Sequence, residues 1–176
     1  MQQQHMAVGL SVERGSGKRR SLPRAATQLV EGALGGIKTS EHPAKLAVLI
    51  ATKDWCQTED SLSKYVREAF KKKLGYEVPL IGTSSPKFYF STEKEPYVAE
   101  GVGLVTLCSR DVWATVESIE KPHDLELAER QKKLAETAGL LEKRAGVRLG
   151  ASAHRFLLGL LPGIFLDKQG IPAYRD

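Results

Sequence analysis

The sequence predicts an α/β domain in which a mixed β-sheet, parallel core strands joined to an antiparallel meander, is flanked by helices. Three observations lead there. Apolar segments of strand length at Ala7–Val12, Leu46–Ala51 and Val78–Ser85 alternate with stretches of helical period at Ser21–Leu34 and Asp60–Leu74, the order of βαβ units. Three further extended stretches, Lys87–Ser91, Val98–Leu107 and Val112–Glu120, then follow without a helix between them, the order of a meander. Leu46-Ala47-Val48-Leu49-Ile50-Ala51 is apolar at every position, as expected for a strand covered on both faces. With 176 residues, 41% of them hydrophobic, the chain is long enough for one domain with a real core. A single domain over 1–176 is expected, with 1–6 and 168–176 flexible.

Ala7–Val12 is the first strand, broken by Gly9, and it runs into the basic loop E-R-G-S-G-K-R-R-S. Ser21-Leu22-Pro23 starts the first helix, whose Ala25, Ala26, Leu29, Val30, Ala33 and Leu34 share a face, and Gly35 ends it in a left-handed backbone. Leu46–Ala51 is read as the middle of the sheet, covered by helices on two sides. Asp60 caps the second helix, with Leu62, Tyr65, Val66, Ala69, Phe70 and Leu74 along one stripe and Gly75 as its stop. Its Lys71, Lys72 and Lys73 complement the negative end of the helix dipole, which explains the lysine run without a nucleic acid.

Val78–Ser85 is expected to stop abruptly at Gly82 and open into Thr83, Ser84 and Ser85, with Pro86 barring a return to regular structure. Val98–Leu107 is read as one long strand and Val112–Glu120 as its antiparallel partner across the Ser109-Arg110-Asp111 turn. The longest helix is expected from Pro122 to about Ala145, burying Leu127, Leu134, Ala138, Leu141 and Ala145 and stopping at Gly146. Phe156–Leu161 reads as one more apolar strand. A chain that ends soon after such a strand looks interrupted, so the domain is expected to be part of a larger duplicated one.

Composition excludes several functions. A net charge of +5, from 26 Lys and Arg against 21 Asp and Glu, is only mildly basic, and no nucleic-acid partner is expected. Cys56 and Cys108 lie in apolar sequence outside any C-x-x-C motif and read as reduced thiols of a cytoplasmic protein. There is no apolar run of spanning length and no secretory signal at M-Q-Q-Q-H-M, so no membrane is expected. His5, His42, His123 and His154 are scattered without ligand spacing, and no metal or other cofactor is expected. The loop at Gly15-Ser16-Gly17-Lys18 is not a Walker motif: Val12 stands where a Gly is needed and Arg19 where a Ser or Thr is needed. Neither a G-x-S-x-G elbow nor a base accompanies Ser84 or Cys56, so a hydrolase is the weakest reading and no enzyme is expected.

Polar strand ends carry the functional expectation. In an open α/β sheet, ligands are held outside the C-terminal ends of the parallel strands. Here those ends offer Ser11, then Thr52, Asp54 and Trp55, then Gly82, Thr83, Ser84 and Ser85. Asp54 suits an ammonium, and the Gly82–Ser85 backbone and hydroxyls suit a carboxylate or other anion. Trp55 reads equally well as a core plug beneath a loop.

The segments A-V-G-L-S, A-A-T-Q-L-V-E-G-A-L-G-G, L-A-V-L-I-A-T-K-D, V-P-L-I-G-T-S-S and E-G-V-G-L-V-T-L, in this order, resemble the N-terminal part of the FIST domain, a sensory module of signalling proteins. The likeness spans Ala7 to about Leu166. It implies binding of a small molecule, with amino acids proposed for the family, and transmission to a signalling or FIST C-terminal partner domain. Some relatives look like haem-based gas sensors, a role that would need His123 or His154 as an axial ligand. Two departures stand out: Pro86-Lys87-Phe88-Tyr89-Phe90 replaces the family's small-residue turn and Gly-Glu pair, and the second half is expected to be missing. The alternative from another class is a protein-interaction scaffold without a small ligand.

Overall fold

The computed structural model describes residues 6–15, 21–56, 61–85, 88–91, 96–99, 101–118 and 125–149. The chain divides into two compact units, Met1–Ala114 and Thr115–Asp176. The first holds β1 (Met6–Arg14), α1 (Leu22–Leu34), β2 (Ala44–Thr52), α2 (Lys53–Cys56), α3 (Leu62–Leu74), β3 (Leu80–Ser85), β4 (Phe88–Ser91), β5 (Pro96–Ala99) and β6 (Gly101–Ser109). The second holds α4 (Leu127–Leu149). The α/β reading stands: a four-stranded mixed sheet in the order β1-β6-β2-β3 carries its helices, and β4 and β5 form a separate two-stranded hairpin.

β2 and β3 run parallel, whereas β6 is antiparallel to both β1 and β2. β1, β2 and β3 therefore all point the same way, with β6 inserted between the first two. Alternate residues of each strand face one way, and Ala47, Leu49 and Ala51 of β2 join Val102, Leu104 and Cys108 of β6 in the core. The helices bury Leu22, Ala25, Ala26, Leu29, Val30, Ala33 and Leu34 of α1, and Leu62, Val66 and Phe70 of α3, against that face. The intervening Leu46, Val48 and Ile50 are half-buried. Among the described residues, then, β2 is covered by helices on one side rather than two, and it is third of four in the sheet.

Helix–sheet contact is close enough that glycine is obligatory in two places. A Cβ at Gly9 would overlap the carbonyl oxygen of Ala33 and lie 2.7 Å from its carbon, and one at Gly32 would overlap the Ser11 hydroxyl. α1 thus sits directly on β1, backbone on backbone.

Several boundaries differ from expectation for identifiable reasons. β3 runs straight through Gly82 to Ser85, because the parallel ladder with β2 continues through Leu49↔Gly82, Ile50↔Thr83, Ala51↔Ser84 and Thr52↔Ser85. The left-handed residue after α1 is Gly36 at φ 78°, while Gly35 keeps φ −58°. α3 is entered from Ser61, not from Asp60, which lies outside the described residues. Gly75 takes φ 80° as expected and its N–H closes on the Lys71 carbonyl at 2.9 Å. The long strand expected over Val98–Leu107 is shared between β5 and β6, which belong to different sheets. Residues 112–118 form no strand, since both edges of β6 are already taken by β1 and β2.

The second unit departs further. α4 begins at Leu127 and passes through Gly146 to Leu149. Of its expected buried stripe, Leu127 is 54% and Leu134 38% exposed, while Ala138 and Leu141 are half-buried. Lys133 with Glu129, Lys132 with Glu136, and Arg144 with Glu117 form ion pairs on this unit. The strand expected at Phe156–Leu161 lies outside the described residues.

Candidate functional site

The C-terminal ends of β1, β2 and β3 lie at one rim of the sheet because the three strands are codirectional, and the N-terminal end of β6 meets them there. Arg14 stands opposite Gly101 at the end of β1, and Thr52 stands beside Ser85 at the end of β2. α2 then packs over the ends of β2, β3 and β6.

Of the eight residues expected to line this rim, two hold it together. The Thr52 hydroxyl donates to the Gly101 carbonyl at 3.1 Å and accepts from the Gly101 N–H at 3.1 Å, and the side chain is buried. Two neutral hydrogen bonds in a buried place stabilise by about 1 kcal/mol each, so Thr52 clamps the start of β6 onto the end of β2. Trp55 is fully buried in the core, and its indole N–H donates to the Gly15 carbonyl at 2.8 Å, just past β1. Between the two balanced readings of Trp55, burial and a satisfied N–H favour the plug.

Ser11 is elsewhere. Its register partner is Leu104, which pairs in turn with Leu49, whose β3 partner is Gly82; this row lies three residues inside the rim. There Ser11 meets Gly32 of α1, so its role is helix–sheet packing. Gly82 shares that row, and it too is a close-approach position: a Cβ there would come 2.8 Å from the Leu49 carbonyl oxygen. Read as a strand end, Gly82 was misplaced, because sequence shows a glycine but not the ladder passing through it.

Three of the eight remain accessible on described side chains. Asp54 is half-buried on α2, Thr83 is half-buried, and Ser84 is exposed. The Thr83 hydroxyl makes a long contact of 3.4 Å with the Ser84 carbonyl. Ser84 and Thr83 point to opposite faces of β3 by the strand's period of two, with Ser84 on the helix side in register with Ala51. Ser85 continues the ladder beside Thr52. Arg14, exposed at the same rim, was missed because β1 reads as ending at Val12; the consecutive charges Glu13 and Arg14 break the apolar alternation and give no strand signal. The rim therefore offers a carboxylate and hydroxyls around a knitted base.

At the far end of the sheet the Tyr76 hydroxyl accepts from the Ala44 N–H at 2.9 Å. Burial pushes the phenol above its usual range, against the lowering effect of that hydrogen bond. Cys108, a free and buried thiol nearby, is likewise pushed up by burial. The Thr106 hydroxyl and His42 Nδ1 are buried without a protein partner.

Among the described residues no group of three or more His, Cys, Asp or Glu is arranged to hold a metal ion, and no helix is long and apolar enough to cross a membrane. The chain matches no family model, no curated protein and no solved structure.

Proposed function

We propose that the first unit is a non-enzymatic, FIST-like sensing module that takes a small polar molecule, such as an amino acid, at the rim formed by Asp54, Thr83, Ser84 and Ser85. The observation carrying this reading is that three codirectional strands end at one rim and leave Asp54, Thr83 and Ser84 accessible there. Further support comes from the resemblance of the A-V-G-L-S, L-A-V-L-I-A-T-K-D and V-P-L-I-G-T-S-S segments to the FIST domain. Asp54 receives the ligand's ammonium, and the Ser84 hydroxyl receives its polar or anionic end, while Thr83 stands on the opposite face of β3. Thr52 and Trp55 hold the base of that rim, Ser11 and Gly82 lie three residues inside it, and none of the four touches the ligand.

A bound molecule bridging α2 and β3 would restrain these elements relative to each other, and a partner signalling domain would read the change. The test is a thermal-shift screen of the full chain across amino acids and nucleotides, repeated on Asp54→Ala and Ser84→Ala. A ligand of this site raises the melting temperature of the wild type and loses most of that effect in both variants. Equal shifts in all three proteins would put the site elsewhere.

A further inference from the structure

β1 is an outer edge of the four-stranded sheet: β6 occupies one side of it, and no described strand pairs with the other. Its nine residues pair with β6 in unbroken register, without a bulge. By the strand's period of two, Ala7, Gly9 and Ser11 lie under α1, where Gly9 and Ser11 meet Ala33 and Gly32. Met6, Val8, Leu10 and Val12 lie on the other face. Met6 is 49%, Val8 59% and Leu10 41% exposed, the three large exposed apolar residues of the sheet.

Natural sheets blunt such edges with proline, lysine, bulges or short strands, because an open row of N–H and C=O groups recruits another strand. The opposite edge is blunted in this way. β3 has six residues, among them Gly82, Thr83 and Ser84, with Pro79 before it and Pro86 after it. From Ala7 to Val12, β1 has no charge, no proline and no bulge. Among the described residues one edge is protected and the other is left open, which marks β1 as a pairing edge.

We propose that β1 pairs antiparallel with β1 of a second copy of this chain, joining two four-stranded sheets into one. A copy of itself fits this edge better than a foreign strand because a two-fold contact sets the same patch against itself, and this patch complements itself. With the axis at Gly9, Val8 stands opposite Leu10 of the other copy and Met6 opposite Val12, so every outward pair is apolar. An axis at Leu10 would instead set Met6 against Arg14. An edge of seven residues is roughly 23 Å long, and even with its apolar row it covers less than the ~800 Å² per partner of a standard interface. Association is therefore reversible and concentration-dependent. It is independent of whether the rim holds a ligand.

Light scattering or sedimentation of the full chain tests this. The mass rises from one toward two chain masses as concentration reaches the hundred-micromolar range. Val8→Lys with Leu10→Lys, which sets lysine opposite lysine across the axis, stays at one chain mass over the same range while keeping the wild-type circular dichroism spectrum. A mixture of Val8→Cys and Leu10→Cys chains, oxidised, gives the mixed disulfide in excess over either homodimer. This second measurement decides the matter if the double lysine variant fails to fold. A wild-type mass that never rises, a dimer untouched by the lysines, or random disulfide pairing would each overturn the proposal.

Discussion

Gly9→Ala tests whether α1 truly rests backbone-to-backbone on β1. The added Cβ would overlap the Ala33 carbonyl oxygen, lie 2.7 Å from the Ala33 carbonyl carbon and 3.1 Å from Cδ1 of Ile37. Ordinary carbon–carbon contact is about 3.5 Å or more, and the overlapping carbonyl oxygen is the nearer obstacle, so α1 must shift by more than about 1 Å. A gap of about 1 Å already forfeits up to about half of each dispersion contact it opens. The face that lifts carries Leu22, Ala25, Ala26, Leu29, Val30, Ala33 and Leu34, all buried. Overpacking costs roughly 1–3 kcal/mol, and the upper end applies because the obstacle is a carbonyl rather than a rotatable side chain. Replacing glycine in a strand returns about 0.5–1 kcal/mol of chain entropy, leaving a net loss of roughly 2 kcal/mol. For a unit of this size that lowers the melting midpoint by roughly 8 °C or more, read by circular dichroism of the full chain. Adding Ala33→Gly does not restore it, since the clash is with the backbone. A variant that melts within about 2 °C of wild type, or a rescue by Ala33→Gly, would refute the close contact.

The other predictions concern the base of the rim and the thiol at the far end of the sheet. Thr52→Val leaves both the N–H and the carbonyl of Gly101 without their partner and lowers the urea midpoint by an amount equivalent to about 2 kcal/mol, whereas Thr52→Ser keeps the hydroxyl and loses less than half as much; equal losses would show that the methyl group, not the hydroxyl, holds β6. Cys108 is an acid whose folded pKa is raised by burial above the ordinary 9.0. The unfolded chain therefore ionises first, and the stability contributed by the neutral buried thiol is complete below pH 9 and lost as pH rises toward the folded pKa. Denaturation midpoints measured from pH 7 upward fall above pH 9, less steeply in Cys108→Ala; a slope unchanged by that substitution would assign the effect to other groups, Tyr76 first among them.

What the sequence determined is local. The apolar strand segments of β1 and β2, the helical stripes of α1 and α3, the stop at Gly75 and the three lysines at the end of α3 all follow from neighbours within a few residues, where side-chain period and backbone sterics act directly. The mixed parallel and antiparallel sheet was legible for the same reason, in the order of those periods. Tertiary structure decided the rest, because pairing partners are distant in sequence. Insertion of β6 between β1 and β2 left residues 112–118 no edge to join, and the ladder with β2 carried β3 through a glycine that looked like a stop. That same pairing sorted the polar strand ends. A hydroxyl such as that of Thr52 reads identically in sequence whether it faces solvent or locks a backbone amide 49 residues away. Only the register turned Thr52 and Ser11 inward and left Thr83 and Ser84 within reach of solvent, and only the packing of α2 buried Trp55 while leaving Asp54 half-buried.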